Sequence, residues 1–159
     1  MKNRLSSVVE KLKALPASSF LITKAFTSQV PFAGTGNIRF DVLEEGRAVL
    51  HIQNRRKVQN HIKGVHASAM GLLAETATGA VLGMTIPDDK IPLMKSMHID
   101  YVRRAQGGLR AEATLTPEMR QRVLSEEKGD FVVPLRVTDE AGEEPIKAQM
   151  TWAWVPKKK

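Results

Sequence analysis

Between His66 and Pro87 the chain reads ASAMGLLAETATGAVLGMTI, and Glu75 is the only ionisable side chain in that run. A segment apolar on every side folds as a buried helix, because no face of it prefers water. Ala67, Gly71, Ala74, Ala77, Thr78 and Val81, with Met70 among them, recur at helical spacing and give one face small enough for another backbone to lie close. Leu72, Leu73 and Thr76 fill the other sides. Desolvating an isolated carboxylate costs on the order of several kcal/mol even after relaxation, so Glu75 must be hydrogen-bonded, paired or protonated. One reading makes it a packing device that fixes the register of a dimer. The other makes it an acid whose proton affinity is perturbed for chemistry.

Asn60, His61, Gly64 and His66 lead into this helix. The first N–H groups of a helix have no intrahelical partner and the dipole there is positive, which suits a carbonyl oxygen or a developing oxyanion. The same residues also serve as ordinary helix-entry caps. A polarising end, a carboxylate and a water-poor surrounding together are what acyl transfer requires.

The remaining elements follow from periodicity. Leu5, Val8, Val9, Leu12 and Leu15 predict an amphipathic helix within residues 1–16, closed by Pro16. It either packs on its own domain, covers an acyl pocket or lies on a membrane surface. Residues 17–36 show no clear period, although Phe20, Leu21, Ile22, Phe26, Val30 and Phe32 are apolar enough for partial burial, either under the sheet or beside an acyl channel. Ile38, Phe40 and Val42 then alternate with polar residues. After a turn at Glu44–Gly46, Ala48, Leu50 and Ile52 oppose Arg47, Val49 and His51, giving a hairpin. The basic run Arg55, Arg56 and Lys57 beside that turn is either a solvated face or a phosphate contact.

Beyond the apolar run, Met97, Ile99 and Tyr101 alternate into Arg103 and Arg104, and Gln106-Gly107-Gly108 signals a second hairpin. Leu109 to Leu115 alternate strictly, Pro117 ends that strand, and residues 118–129 are charged with room for a helical turn. Phe131 to Val137 form one further strand with Pro134 at an edge or a bulge. Ile146, Ala148, Met150, Trp152 and Trp154 line one side of the last. Two strands, a buried helix and four strands make an α+β domain over residues 1–159, an antiparallel sheet wrapped around one long helix, with a basic tail at 157–159.

Bulk properties narrow the function. The chain carries +7 with a pI near 9.9 but only 5% aromatic residues, so basic stretches lack the stacking rings of a nucleic-acid surface. A phosphate-rich small molecule fits that charge equally well. Cysteine is absent, no apolar run is long enough to span a bilayer, and the N-terminus lacks a signal-peptide core, so a cytoplasmic location is expected. Four scattered histidines at 51, 61, 66 and 98 predict no metal site.

Asn60, then His66, then Leu73-Ala74-Glu75-Thr76-Ala77 resembles the signature of PaaI-type hotdog-fold thioesterases, and is closer still to an uncharacterised thioesterase-like, DUF4442-like branch. The resemblance implies a hotdog fold and cofactor-free hydrolysis of an acyl-CoA or other acyl thioester. It makes Glu75 the general base or nucleophile, has Asn60 position water or the carboxylate, and gives His66 the helix entrance. It also implies that Gly64, Val65, Ala67 and Ser68 contact the substrate, with N–H groups near Ala67 as the oxyanion site, and that Arg103 and Arg104 meet the nucleotide phosphates. In that family the Asn and the carboxylate face each other across a homodimer interface, and dimers sometimes pair into tetramers.

Three departures from the pattern stand out. Ala67 and Ser68 replace two glycines, Lys63 precedes Gly64 where glycine usually comes one place earlier, and Met94 falls where some members carry a hydroxyl, with Ser96 nearby. A second function class is therefore a non-catalytic acyl-CoA or lipid-binding protein on the same scaffold. A hotdog hydratase is disfavoured, because those proteins space the His and the carboxylate differently.

Overall fold

The computed structural model describes residues 3–158, so Met1 and Lys2 of the N-terminal helix expectation and Lys159 of the basic tail lie outside it. Among the described residues seven strands form two antiparallel sheets. One has the order β1 (Arg39–Glu44), β2 (Arg47–Ile52), β4 (Leu109–Thr114), β6 (Leu135–Asp139), and the other the order β3 (Lys90–Tyr101), β7 (Ile146–Pro156), β5 (Gly129–Val133). β6 runs beside β7 at the seam. The helix α4 (Ala67–Gly83) occupies the apolar run and packs against strands of both sheets. Leu73, Ala74, Ala77, Val81 and Leu82 are fully buried there, facing Phe40, Leu50, Ile52, Met150 and Trp154 in one continuous core.

Trp152 shows why α4 carries small residues. Its ring lies so close to the helix that a Cβ on Gly79 would sit 2.7 Å from it, and its indole N–H donates to the Thr78 hydroxyl at 2.8 Å. Thr78 in turn donates to the Ala74 carbonyl at 2.9 Å, so the buried polar atoms are mutually satisfied.

Four local outcomes differ from the periodicity. Residues 17–36, expected to be irregular, form α2 (Ser18–Gln29) and α3 (Pro31–Thr35). A bulge in β1 between Phe40 and Val42 shifts the inward positions, so Leu43 is buried in place of Val42. The strand expected over Phe131–Val137 is two strands in different sheets, because Pro134 has no N–H to continue a ladder; its carbonyl still accepts from Thr114 at 3.0 Å. The charged stretch after Pro117 is a full helix, α5 (Pro117–Ser125), capped by Thr116, whose hydroxyl accepts from the Met119 N–H.

The N-terminal elements are tied to this frame by specific bonds. α1 (Arg4–Lys13) starts at Asn3, whose Oδ1 accepts from the Ser6 N–H at 2.7 Å as a cap. The same side chain donates from Nδ2 to the carbonyls of Gly83 at 2.7 Å and Ile86 at 2.6 Å, clipping α1 to the end of α4. α2 completes the open edge of β1. Thr23 Oγ1 accepts from the Phe40 N–H at 3.0 Å, and Ser19 Oγ donates to the Phe40 carbonyl.

Asn3 is only 6% exposed, so truncating it removes a cap and strands two carbonyls. Asn3→Ala is expected to lose about 2 kcal/mol in urea unfolding; Asn3→Asp, which keeps the cap but has no N–H to donate, is expected to recover only the capping share of about 1 kcal/mol.

Candidate functional site

A cavity of about 680 Å³ lies between α1, α2 and α4. Val9, Ile22, Leu43, Thr76, Ala80 and Trp152 form its buried walls, and Arg4, Val8, Ser28, Gln29 and Val30 form its exposed rim. Glu75 is the one carboxylate that lines it. Burial raises the Glu75 pKa above the usual glutamate value, and the Thr76 hydroxyl, a long 3.5 Å from Oε2, offsets this in part. The acid sits on a stripe of α4 formed by Ala67, Gly71, Glu75, Gly79 and Gly83, none of which is fully buried.

Asn60 lies elsewhere, in the loop before α4. Its Oδ1 accepts from the N–H groups of Ile62 and Gly64, both at 3.1 Å, and its own N–H donates to the Gly64 carbonyl at 2.9 Å. Lys63 within that loop has φ 61°, a left-handed conformation that glycine adopts without strain. Surrounding bonds hold it there. Asn54 donates to the Lys63 carbonyl, Gln59 donates to Asn54, both at 3.0 Å, and Arg104 donates to the Ile62 carbonyl at 3.1 Å. Gln59 and the buried Val65 close the base as a β-bridge.

His66 is the cap of α4, its Nδ1 accepting from the Ser68 N–H at 3.0 Å. That bond occupies one of the free donors at the helix start. Ala67 and Ser68 are exposed there, and the Tyr101 hydroxyl donates to the Ala67 carbonyl at 3.1 Å. Arg103 pairs with Glu143 at 3.3 Å. Asn60, Gly64, Val65, His66, Ala67, Ser68 and Arg104 are thus gathered around the entry to α4, whereas Glu75 is more than two helical turns on, roughly 13 Å along the axis from His66. None of those entry residues lines the cavity that holds Glu75.

The sequence leaves Ile22 and Phe26 partly buried, under the sheet or beside an acyl channel, without assigning a helix; with Ala25 they line the cavity at helical spacing on α2, a period masked by the outward-facing Phe20 and by Thr23. Tyr101 joins the entry loop through a bond that strand alternation alone does not reveal. Among the described residues, no three His, Asp or Glu side chains cluster to hold a metal ion. No described helix is long and apolar enough to cross a membrane.

No curated protein matches the sequence. Solved structures do. A Pseudomonas aeruginosa protein described as of unknown function and a probable thioesterase is 26% identical, with a TM-score of 0.78 over 90% of this chain and 97% of that one. A Silicibacter pomeroyi thioesterase family protein at 15% identity covers 85% of this chain and 96% of that one with a TM-score of 0.66. A thioesterase from Haemophilus influenzae at 13% identity covers 79% and 82% with a TM-score of 0.63. The family described as domain of unknown function DUF4442 matches residues 19–155, so the chain belongs to that family, a thioesterase-like branch of the hotdog fold.

Proposed function

We propose that the protein hydrolyses an acyl thioester, with Glu75 as general base and the acyl group in the cavity that Glu75 lines. The observation that carries this reading is a lone carboxylate of raised pKa on the wall of an otherwise apolar cavity. In the ionised form it takes a proton from water as the oxygen attacks the thioester carbonyl. It returns that proton to the departing thiolate as the carbonyl re-forms. The oxyanion is held by the N–H of Ala67 at the start of α4, on the loop that Asn60 braces.

Because the entry loop and Glu75 lie roughly 13 Å apart along one helix, a complete site needs the loop of a second copy. β3 is the means we propose for pairing. Its twelve residues bond to β7 on one side only, and along it Ile91, Leu93, Met97 and Tyr101 are exposed. Asn60 of one protomer then faces Glu75 of its partner, while the exposed cations Arg55, Arg56, Lys57 and Arg104 flank the loop as a seat for coenzyme A phosphates, with Arg103 behind them. Hydrolysis needs no cofactor.

A second reading, a non-catalytic acyl-CoA binding protein, is favoured by one feature: His66 takes the Ser68 N–H, which removes a donor from the oxyanion position. Thiol release from acyl-CoAs separates the two. The wild type is expected to release thiol and Glu75→Gln to lose about a hundredfold or more in kcat with its acyl-CoA affinity kept. Mixing Glu75→Gln with Asn60→Ala subunits is expected to restore part of the activity, since one site of each mixed dimer has both groups. Binding without thiol release by the wild type would establish the second reading.

The raised pKa of Glu75 also predicts a pH dependence of stability. The folded acid holds its proton at pH values where the unfolded acid has lost it, so the stabilisation is complete below the ordinary glutamate range and is lost as pH rises through the folded-state value. Urea unfolding should therefore show Glu75→Gln to be the more stable protein at pH 7, with the gap closing as pH falls below the ordinary glutamate range.

A further inference from the structure

The cavity that Glu75 lines has a shape and composition that bear on the acyl group itself. On the α4 side it follows Glu75, Gly79 and Gly83, an i, i+4, i+8 stripe, and so extends along roughly 12 Å of helix. Opposite that stripe α1 supplies Leu5 and Val9, and α2 supplies Ile22, Ala25 and Phe26. Thr76 is the hydroxyl among its buried walls, the Trp152 N–H is taken up by Thr78, and the polar rim residues are at the exposed mouth.

Both covering helices are held in place. Asn3 fixes the start of α1 to the Gly83 and Ile86 carbonyls. Phe26 is held against Phe40, with ring centroids 4.7 Å apart, so α2 cannot drift from β1 without losing that contact. The space between them is therefore elongated along α4 and walled mainly by aliphatic side chains, with Phe26 and Trp152 as its aromatic walls.

We infer that the acyl group is an aliphatic chain of roughly ten carbons, at about 1.2 Å of advance per C–C bond, running from Glu75 toward Gly83 beneath α1 and α2. Ala25 of α2 is one of the walls the chain lies against. Ala25 is a half-buried helix position whose side chain is a single methyl, so a larger group there enters the cavity without displacing the core. The inference rests on the thioester reading for the orientation of the chain, with its carbonyl at Glu75. The fit of chain to cavity is independent of turnover.

The experiment uses the full chain and two readouts. Isothermal titration with butyric, decanoic, palmitic and phenylacetic acids measures fit, and thiol release from the matching coenzyme A thioesters measures turnover. Decanoate is expected to bind at least about tenfold more tightly than phenylacetate, and Ala25→Phe is expected to reduce decanoate affinity by at least about tenfold. Ala25→Met, a milder change that suits a helix, is expected to reduce it by less. Circular dichroism melts establish that both variants are folded.

Tighter binding of phenylacetate than of decanoate would overturn the inference. So would a folded Ala25→Phe or Ala25→Met protein with the wild-type decanoate affinity. Length-dependent binding with no thiol release would remove the hydrolase reading and leave this one standing. Thiol release that is indifferent to chain length and to Ala25 would do the reverse.

Discussion

Water is excluded from a helix that carries one acid, and much of the architecture answers that fact. Two sheets bury most of the circumference of α4, using Trp152, Trp154 and Met150 from one sheet and Leu50 and Ile52 from the other. The stripe through Gly71, Glu75 and Gly79 is only half-covered, with Ile99 and Trp152 reaching the two glycines and Glu75 between them. On any other line of the helix Glu75 would stand among side chains with no exposed boundary, at an energetic cost near that of an unpaired buried charge. On this line it keeps one side toward a cavity and a raised but accessible proton affinity.

The helices before the first sheet are a consequence of the same opening. A sheet-wrapped helix with one face uncovered exposes a strip of apolar surface, and α1 and α2 roof its C-terminal half. They do so without filling it. α2 contributes Ser19 and Thr23 hydroxyls to the edge of β1, and α1 contributes Asn3 to the end of α4, so the roof is supported by polar bonds at its margins and leaves a hollow between. A roof held by close apolar packing along its whole length would have left no space for a ligand.

The elements legible in the sequence were those whose signal is local. The run from Ala67 to Gly83 admits little besides a buried helix, and alternation marks β4 and β7, whereas in β2 Val49, set against the inward residues, is buried as well. α2 was not legible, because its inward line of Ile22, Ala25 and Phe26 is interrupted by an exposed Phe20 and by Thr23 and Thr27, whose roles are hydrogen bonds to distant or preceding backbone. The bulge at Asp41 and the sheet change at Pro134 depend on which strand lies alongside, information that no single segment contains. At the entry loop, Asn60, Gly64 and His66 stand out as a cluster, but the bracing from Asn54, Gln59 and Arg104 is tertiary. The left-handed Lys63 explains the shifted glycine: the loop keeps a conformation that favours glycine and holds a lysine in it by those bonds.

That rigidity has a consequence for how a site is assembled. A loop fixed by its own hydrogen bonds cannot fold back along α4, and a carboxylate fixed on a buried helix cannot travel to the loop. In one protomer the two parts stay separate whatever the ligand does. In the proposed dimer a second chain brings them together, and among the described residues the long strand with a free edge beside both parts is β3, which carries Tyr101 at the loop end and Pro92 at the cavity end. Two copies joined antiparallel along β3 would set the loop end of each against the cavity end of the other, so the strand that supplies the pairing surface would also set the distance between the proposed donors and the proposed base.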